Sequence, residues 1–572
     1  MGLTPMVFSI RAGETLMSNN GKSNVDGLID AYFEKPKRTT TWSGFPVKDI
    51  YTPKDIDGMD YERDMPDAGK YPYTRGIHPD MFRGRYWTKR EVTGFGTPTD
   101  TSRRLKKQIE EGVSGLNVIR DNPTNLGIDP DHPLAEGEVG LVGVSLCSLK
   151  DMEMLTEGIP LDKVSMSLIC ASCPAIIILS QYILIAEQRG ISPAKLRGTI
   201  ANDPLHCRYC GWRPSNPIDL SLKLSVDIIE YCTNSMPLWN TAVVNSYDLR
   251  ENGVNAVQEV AFGLAMAMAY IDGALKRGLN IDDFASRRAF YCSSHIDFFE
   301  EIAKLRAARR MWARIVKEKY GAKNPNSWKF RFAVHTAGCS LVPQQPLNNI
   351  IRIAYEALAA VLAGVQSLHS CSYDEPIALP TEESQRIALR TQQIIAYETG
   401  VSNVADPLGG SYYVENLTNR IEEQAARILD EIEKMGGMVE AMRTGWLDKE
   451  IDKSSLEYQK EIERRERIIV GVNAFASPPD KKTPGGVHRN PAESEKEQIN
   501  SVKELKVKRD DKVLRQSIGK LREKAQMGEG ENLFPTIMDA LRAKATLGEI
   551  MGTIREVYGY SYDPLNILES PF

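Results

Sequence analysis

The residues with the most obvious chemistry are two cysteine pairs. Cys170-x-x-Cys173 lies in "SLICASCPAI", and Cys207-x-x-Cys210 lies in "NDPLHCRYCGW" with His206 beside it. Four thiolates on neighbouring loops suit Zn²⁺ or an iron–sulfur cluster. A single CxxC also suits a redox dithiol. Small, soft cysteines equally well fill buried gaps without any chemistry. The 33 residues between the pairs are long for a zinc ribbon. Strand ends adjacent in space would make that separation unimportant, so all three readings stand.

Such loops need elements to hold them. From about residue 70 to 425, short apolar runs alternate with amphipathic stretches. "KVSMSLI", "RGTIAND", "LWNTAVVNSYDL", "RRAFYCSSH", "KFRFAVHTAG" and "AGVQSLHS" read as strands that run into polar ends. "NAVQEVAFGLAMAMAYIDGALKRG" and "NNIIRIAYEALAAVLAG" read as helices between them. Repeated strand–helix alternation means parallel strands with right-handed crossovers. About eight such units predict an α/β fold of the (β/α)8 TIM-barrel type, with the functional groups at the strands' C-terminal ends. The expected organisation is an N-terminal arm over 1–45, the barrel over 46–425, and a helical linker and C-terminal helical region over 426–572. "ASPPDKKTPGGVHRNPAE" is the linker, 492–527 one charged and mostly solvated helix, and "NLFPTIMDALRAKATLGEIMGTIREVYG" a closing helix pair.

Composition narrows the function classes. The 572 residues carry 71 Lys+Arg against 76 Asp+Glu, a net charge of −5 with the signs interleaved. No basic field exists for nucleic acid and no polybasic tract for a membrane. Val164 to Ala186 is uncharged, but its Pro174, Ser, Gln and Cys residues favour a strand (164–169), a turn and a buried helix (175–188) over a membrane span. Nine cysteines, an odd count, point to a reducing compartment, and the expected location is the cytoplasm. The start at Met1 lacks a secretory pattern, and Met17 is an alternative start.

"YPYTRGIHPDMFRGRYWTKREVTGFGTPTDT", "GIPLDKVSMSL", "GTIANDPL", "IDDFASRRAFY", "AGVQSLHSCSYDEPIALPTEESQRIALRTQQIIAYETGV" and "DPLGGSYYVENLT" carry a resemblance. The chain from about residue 40 onward resembles the large chain of the adenosylcobalamin-dependent acyl-CoA mutases, the methylmalonyl-CoA mutase family. Its tail is most similar to the 2-hydroxyisobutyryl-CoA and isobutyryl-CoA type. The resemblance implies radical carbon-skeleton rearrangement of an acyl-CoA threaded along the barrel axis, with the corrin capping the other end. None of the seven His residues sits in the D-x-H-x-x-G pattern of the cobalamin-binding domain. The implied assembly is therefore a heterotetramer, in which a homodimer of large chains receives adenosylcobalamin from separate small subunits. By the resemblance, His78, Met81, Arg85, Thr88, Arg90, Val92, Asn117, Ser167, Thr199, Ala201, Arg287, Gln366 and Ser367 bind the acyl-CoA. Arg120, Val142, Cys210, Gly211, Gly338, Glu375 and Ala378 match cofactor-contacting positions. Seven of the nine cysteines, including Cys292, Cys339 and Cys371, map to the catalytic end.

The departures from the family fall at the reacting centre. A Tyr beside the migrating group is Val92, and the Arg that clamps a malonyl carboxylate is Gly211. A buried carboxylate needs such a partner, so a non-malonyl acyl group is expected, unless Arg208 or Arg213 swings in. The acidic residue that holds a hydroxyl in the 2-hydroxyisobutyryl type is Ile119 here. The family's catalytic His is Asp248, while His335 appears two positions after Ala333, where another His stood. The expectation is a cross-barrel pair in which Asp248 raises the pKa of His335 and His335 polarises the thioester carbonyl. Two alternatives accompany the mutase reading. One is a CoA-binding barrel with a Cys-ligated metal or iron–sulfur site and changed chemistry. The other is a non-catalytic partner subunit.

Overall fold

The structure is a computed structural model that describes residues 39–170, 173–209, 217–477 and 485–572. Cys210, Gly211 and Arg213, both candidate start residues and nearly all of the expected arm lie outside the described residues. Ten short strands form two parallel five-stranded sheets. They are β1 (Thr88–Arg90), β2 (Val92–Thr93), β3 (Leu116–Ile119), β4 (Ser165–Ile169), β5 (Arg197–Ala201), β6 (Trp239–Asn240), β7 (Ala242–Asn245), β8 (Arg288–Ser294), β9 (Phe332–Thr336) and β10 (Ser367–His369). One sheet has the order β1-β10-β9-β8-β7 and the other β2-β3-β4-β5-β6. Glu91 alone separates β1 from β2, and Thr241 alone separates β6 from β7. Every strand expected from the sequence is present.

The helices between the strands begin where the sequence supplies a cap. Helix Pro98–Glu110 starts at Thr97, whose hydroxyl accepts from the Asp100 N–H while the Asp100 carboxylate accepts from the Thr97 N–H. Asn255 and Gln258 do the same for the helix Ala256–Lys276. The apolar helix Ala175–Gln188 is buried almost throughout because it lies between β5 and the C-terminal helix Phe534–Arg542, with helices on either side. Among the described residues no helix is long and apolar enough to cross a membrane. One core cluster gathers around β7 to β10 and the helices Ala256–Lys276, Phe298–Arg314 and Tyr412–Lys434. A second unites β3 to β5 with Ala175–Gln188 and the C-terminal helices.

The expected boundary at 425/426 falls inside the helix Tyr412–Lys434, which packs on the barrel-side helices. The single solvated helix expected over 492–527 is two, Ser494–Lys508 and Asp511–Gln526. Asp510 breaks it by accepting the N–H groups of Lys512 and Val513, a cap that competes with helix continuation. The second of the two buries Leu514, Ile518, Leu521 and Ala525 in the second core, so it is a half-buried element rather than a solvated one. The closing pair, Phe534–Arg542 and Leu547–Val557, forms as expected. Thr546 caps the last helix and donates to Asp129 at 2.6 Å, which ties it to the loop after β3.

Candidate active site

A cavity of about 620 Å³ opens at the C-terminal ends of the strands. Its walls come from the last residues of several strands. Ile119 ends β3, Ile169 ends β4, Asn245 ends β7 and His369 ends β10, while His335 is next to last on β9. Parallel register fixes them against each other, with Asn245 opposite Tyr291 and His335 opposite His369. The apolar part comprises Val92, Phe95, Ile119, Val142, Ile169, Ile377 and Leu379. The polar part includes His206, Asn245, Tyr247, Asp248, Tyr291 and His335, together with Glu91, His369, Glu375 and Gln385.

Asp248 sits on a built platform. Its Oδ2 lies 3.0 Å from His206 Nε2 and accepts from Asn245 Nδ2 at 2.7 Å. His206 is buried, with Nδ1 3.5 Å from Asp203 Oδ2. Asp203 is in turn fixed by the Asn245 N–H at 2.8 Å, the Leu205 N–H at 3.0 Å and the Tyr270 hydroxyl. The order is therefore Asp203, His206, Asp248, cavity. This overturns the expected cross-barrel pair, because the Asp248 carboxylate turns to His206 and not to His335.

His335 has a different role from the one expected. Its Nδ1 is 2.6 Å from the Thr336 carbonyl, which can only accept, so Nδ1 carries the proton. Burial pushes its pKa down to about 4, against the smaller opposing effect of Asp248. The ring is neutral at pH 7, and its Nε2 is an acceptor that cannot polarise a carbonyl. Its ring packs at a tilt against His369 at 4.1 Å and against Tyr247 at 4.4 Å. Burial, and then the neighbouring His335, hold His369 well below the usual imidazole range. Burial also keeps the phenols of Tyr247 and Tyr291 protonated. These hydroxyls are donors available to a bound carbonyl.

The structure brings Val92, Val142, Asp248, His335, Glu375 and Ala378 to the cavity wall, as the sequence suggests. Toward the N-terminal side, Asn117, Ser167 and Thr199 stand in register across β3, β4 and β5, and Ser367 opposite Thr88 on the other sheet. Arg90 is buried and donates to Ser367 Oγ, the Leu116 and Ser165 carbonyls and Ser165 Oγ, at 2.6 to 3.1 Å. Gln366 holds the strand edge through the Phe332 N–H and the Gly364 carbonyl. Ala201 ends β5, and Met81 is buried at the start of the helix Met81–Gly84. Arg120 is buried behind the cavity wall and donates to Asn125 at 3.2 Å. Gly338 opens a turn where a Cβ would meet Glu251 at 3.0 Å and the Tyr247 hydroxyl at 3.3 Å.

A second cluster lies at the N-terminal ends of the strands. Arg85 precedes β1, Arg197 starts β5, Arg287 precedes β8 and Arg331 precedes β9. Burial and then Arg287 push the Arg331 pKa down to about 10. Burial and then Arg197 lower that of Arg287. Burial, Lys329 and Arg331 lower that of His78. Cations that depress one another in this way are uncompensated positive charge, a seat for an anion.

Cys210 lies outside the described residues, and the other cysteines of the two pairs have separate surroundings. Cys173 lies 3.1 Å from Ser221 Oγ, and Cys207 donates to the Asp203 carbonyl at 3.5 Å. Among the described residues no three His, Cys, Asp or Glu side chains converge as a metal site. None of the described cysteines lines the cavity. Burial pushes the Cys173 and Cys292 thiols up to about 12. Cys292 faces a separate small pocket beside Glu259 and Lys304.

Sequence reasoning missed His206, Asn245, Tyr247, Tyr291 and His369 as cavity groups. The signal was present, since each follows or ends an apolar run at a barrel-type strand end. His206 was obscured by its neighbour Cys207.

The open side of the cavity offers apolar surface of the kind that the corrin of adenosylcobalamin would need. Leu141 and Val142 expose apolar surface at the rim, where a flat macrocycle would cover them. Burial raises the Glu375 carboxyl to about 7, so it can donate a hydrogen bond as well as accept one.

A family model described as "Methylmalonyl-CoA mutase" matches residues 40–560. The chain is 39% identical over 526 residues to the 2-hydroxyisobutanoyl-CoA mutase large subunit of Aquincola tertiaricarbonis, covering 92% of this chain and 93% of that one. It is 39% identical over 520 residues to the methylmalonyl-CoA mutase of Rhizobium meliloti, covering 91% and 72%. It is 37% identical over 519 residues to the human mitochondrial methylmalonyl-CoA mutase, covering 91% and 68%.

Proposed function

We propose that this chain, which belongs to the methylmalonyl-CoA mutase family, is the large subunit of a coenzyme B12-dependent acyl-CoA mutase that acts on a non-malonyl ester. The two sheets are read as halves of one closed (β/α)8 barrel. Followed strand by strand, the pairings lead from β2 to β6, across Thr241 to β7, and through β10 and β1 back to Glu91. Arg90 supports this, since from β1 it reaches Ser165 on β4 and Ser367 on β10 across a shared interior.

The observation that carries the reading is the pairing of two sites on one axis. The cationic cluster of Arg85, Arg197, Arg287, Lys329 and Arg331 takes the phosphates of CoA at the N-terminal ends. The polar rows at Asn117, Ser167, Thr199 and Ser367 line the path of the pantetheine. The acyl group enters the cavity, where one of the Tyr247 and Tyr291 hydroxyls holds the thioester oxygen. When bound, adenosylcobalamin supplies an organic radical that removes and returns a hydrogen atom of the acyl group. The apolar walls keep water from that chemistry. The cofactor is delivered by a separate small subunit. The 93% coverage of a relative named as a large subunit supports this. A homodimer of large chains inside a heterotetramer, located in the cytoplasm, completes the proposal.

Titration calorimetry of the purified chain with CoA tests the binding half. The expected result is saturable binding that weakens roughly tenfold in Arg331→Ala, as for one lost charged hydrogen bond. Absence of binding, or an unchanged affinity in the variant, contradicts the reading.

A further inference from the structure

We propose that Asp248, held by His206 and Asn245, is the acceptor for a hydroxyl on the acyl chain, and that the enzyme takes hydroxyacyl-CoA esters. This inference rests on the acyl-CoA mutase reading and adds the acyl class to it.

The geometry separates the two oxygens of Asp248. His206 Nε2 and Asn245 Nδ2 both engage Oδ2. Among the described residues no donor side chain reaches Oδ1, and the side chain keeps 22% of its surface open at the cavity wall. A carboxylate with one oxygen clamped and one open is a directed acceptor. Asp203, 3.5 Å behind His206, is fixed by two backbone N–H groups and the Tyr270 hydroxyl. His206 is therefore a positioning residue, and Asp248 is the group that touches substrate.

The rest of the cavity selects what Oδ1 accepts. His335 Nε2 is a second acceptor beside the two phenols, on a wall that also carries Glu91 and Glu375. A hydroxyl donates to Asp248 and accepts from Tyr247 or Tyr291, which satisfies both of its capacities. A carboxylated acyl group would set its charge against Asp248. The one cationic side chain on the described wall, Arg104, stacks on Phe95 at 4.9 Å and lies 3.4 Å from Gln385, so it is engaged at the rim. A plain alkyl group would leave Asp248 Oδ1 dry and unpaired, which is costly. The resemblance places an acidic hydroxyl-holder at Ile119 on β3. Here the carboxylate has moved to the loop after β7, and Ile119 supplies apolar wall.

The test is a binding panel on the full chain with 2-hydroxyisobutanoyl-CoA, 3-hydroxybutanoyl-CoA, isobutanoyl-CoA and methylmalonyl-CoA. The wild type is expected to bind at least one hydroxy ester about 10- to 100-fold more tightly than isobutanoyl-CoA, with methylmalonyl-CoA weakest. In Asp248→Ala that preference falls to within about threefold, because the hydroxy ester loses its acceptor and isobutanoyl-CoA no longer strands an unpaired carboxylate oxygen. His206→Gln reduces the preference in the same direction, a change that general loss of stability would not produce. Equal binding of hydroxy and plain esters by the wild type overturns the inference, as does full preference retained in Asp248→Ala. Both results leave the mutase reading standing. A wild-type chain that binds no ester overturns both.

Discussion

His335 shows how burial decides what a residue can do. The sequence places an imidazole at a barrel mouth near a carboxylate, which invites a raised pKa. In the fold, the loss of water outweighs that carboxylate, and the pKa falls to about 4. A folded-state value below the unfolded 6.5 means that the unfolded chain binds the proton first as pH falls. Stability from this group is thus complete above pH 6.5 and is lost as pH drops toward 4. Between pH 7 and pH 5 the loss is on the order of 2 kcal/mol. Thermal unfolding of His335→Gln at the two pH values is expected to show a smaller pH difference than the wild type. An equal difference in both proteins would contradict the assignment. His206 teaches the complementary lesson. Its role depends on Asp203, three residues earlier, and on Asp248, 42 residues later, and only the meeting of β5 and β7 loops makes that visible.

At the scale of elements, the sequence was most legible where patterns are strong. The strands β4 to β10 and the helices Ala175–Gln188 and Ala256–Lys276 were readable from apolar runs, whereas the short β1, β2 and β3 were not. The break at Arg509–Asp510 was not, because two charged residues in a charged helix leave periodicity intact. The interruption comes from one side chain capping the next helix. Replacing Asp510 with Ala removes acceptors for Lys512 and Val513 and costs about 1 kcal/mol of local stability. Hydrogen exchange at those two amides is expected to speed up roughly fivefold, with the barrel amides unchanged. Unchanged exchange there would show that packing of Leu514 and Ile518, rather than the cap, sets the helix start. The cysteine pairs are the reverse case. Their spacing was striking to read as ligands, but burial of Cys173 against Ser221 and of Cys207 against the Asp203 carbonyl depends on packing that spacing does not encode.

For the whole molecule, the cluster of Arg197, Arg287 and Arg331 lies at the N-terminal ends of the parallel strands and the largely apolar cavity at their C-terminal ends. The first end was legible as Arg85 and Arg287 from the resemblance, while Arg197 and Arg331 emerged only when strand starts were brought together. The C-terminal helices join the second core beside β3 to β5, so the chain beyond the barrel strands is structural support for the cavity's Ile119 and Ile169 wall. The central claim is cobalamin-dependent rearrangement of an acyl-CoA. Its most direct test is to co-purify the chain with its cobalamin-binding partner and follow carbon-13-labelled hydroxyacyl-CoA by NMR, with and without adenosylcobalamin. The account predicts that the label moves to a new skeletal position only when both chains and the cofactor are present. Rearrangement without adenosylcobalamin, or none with the complete system while the ester is bound, would contradict it.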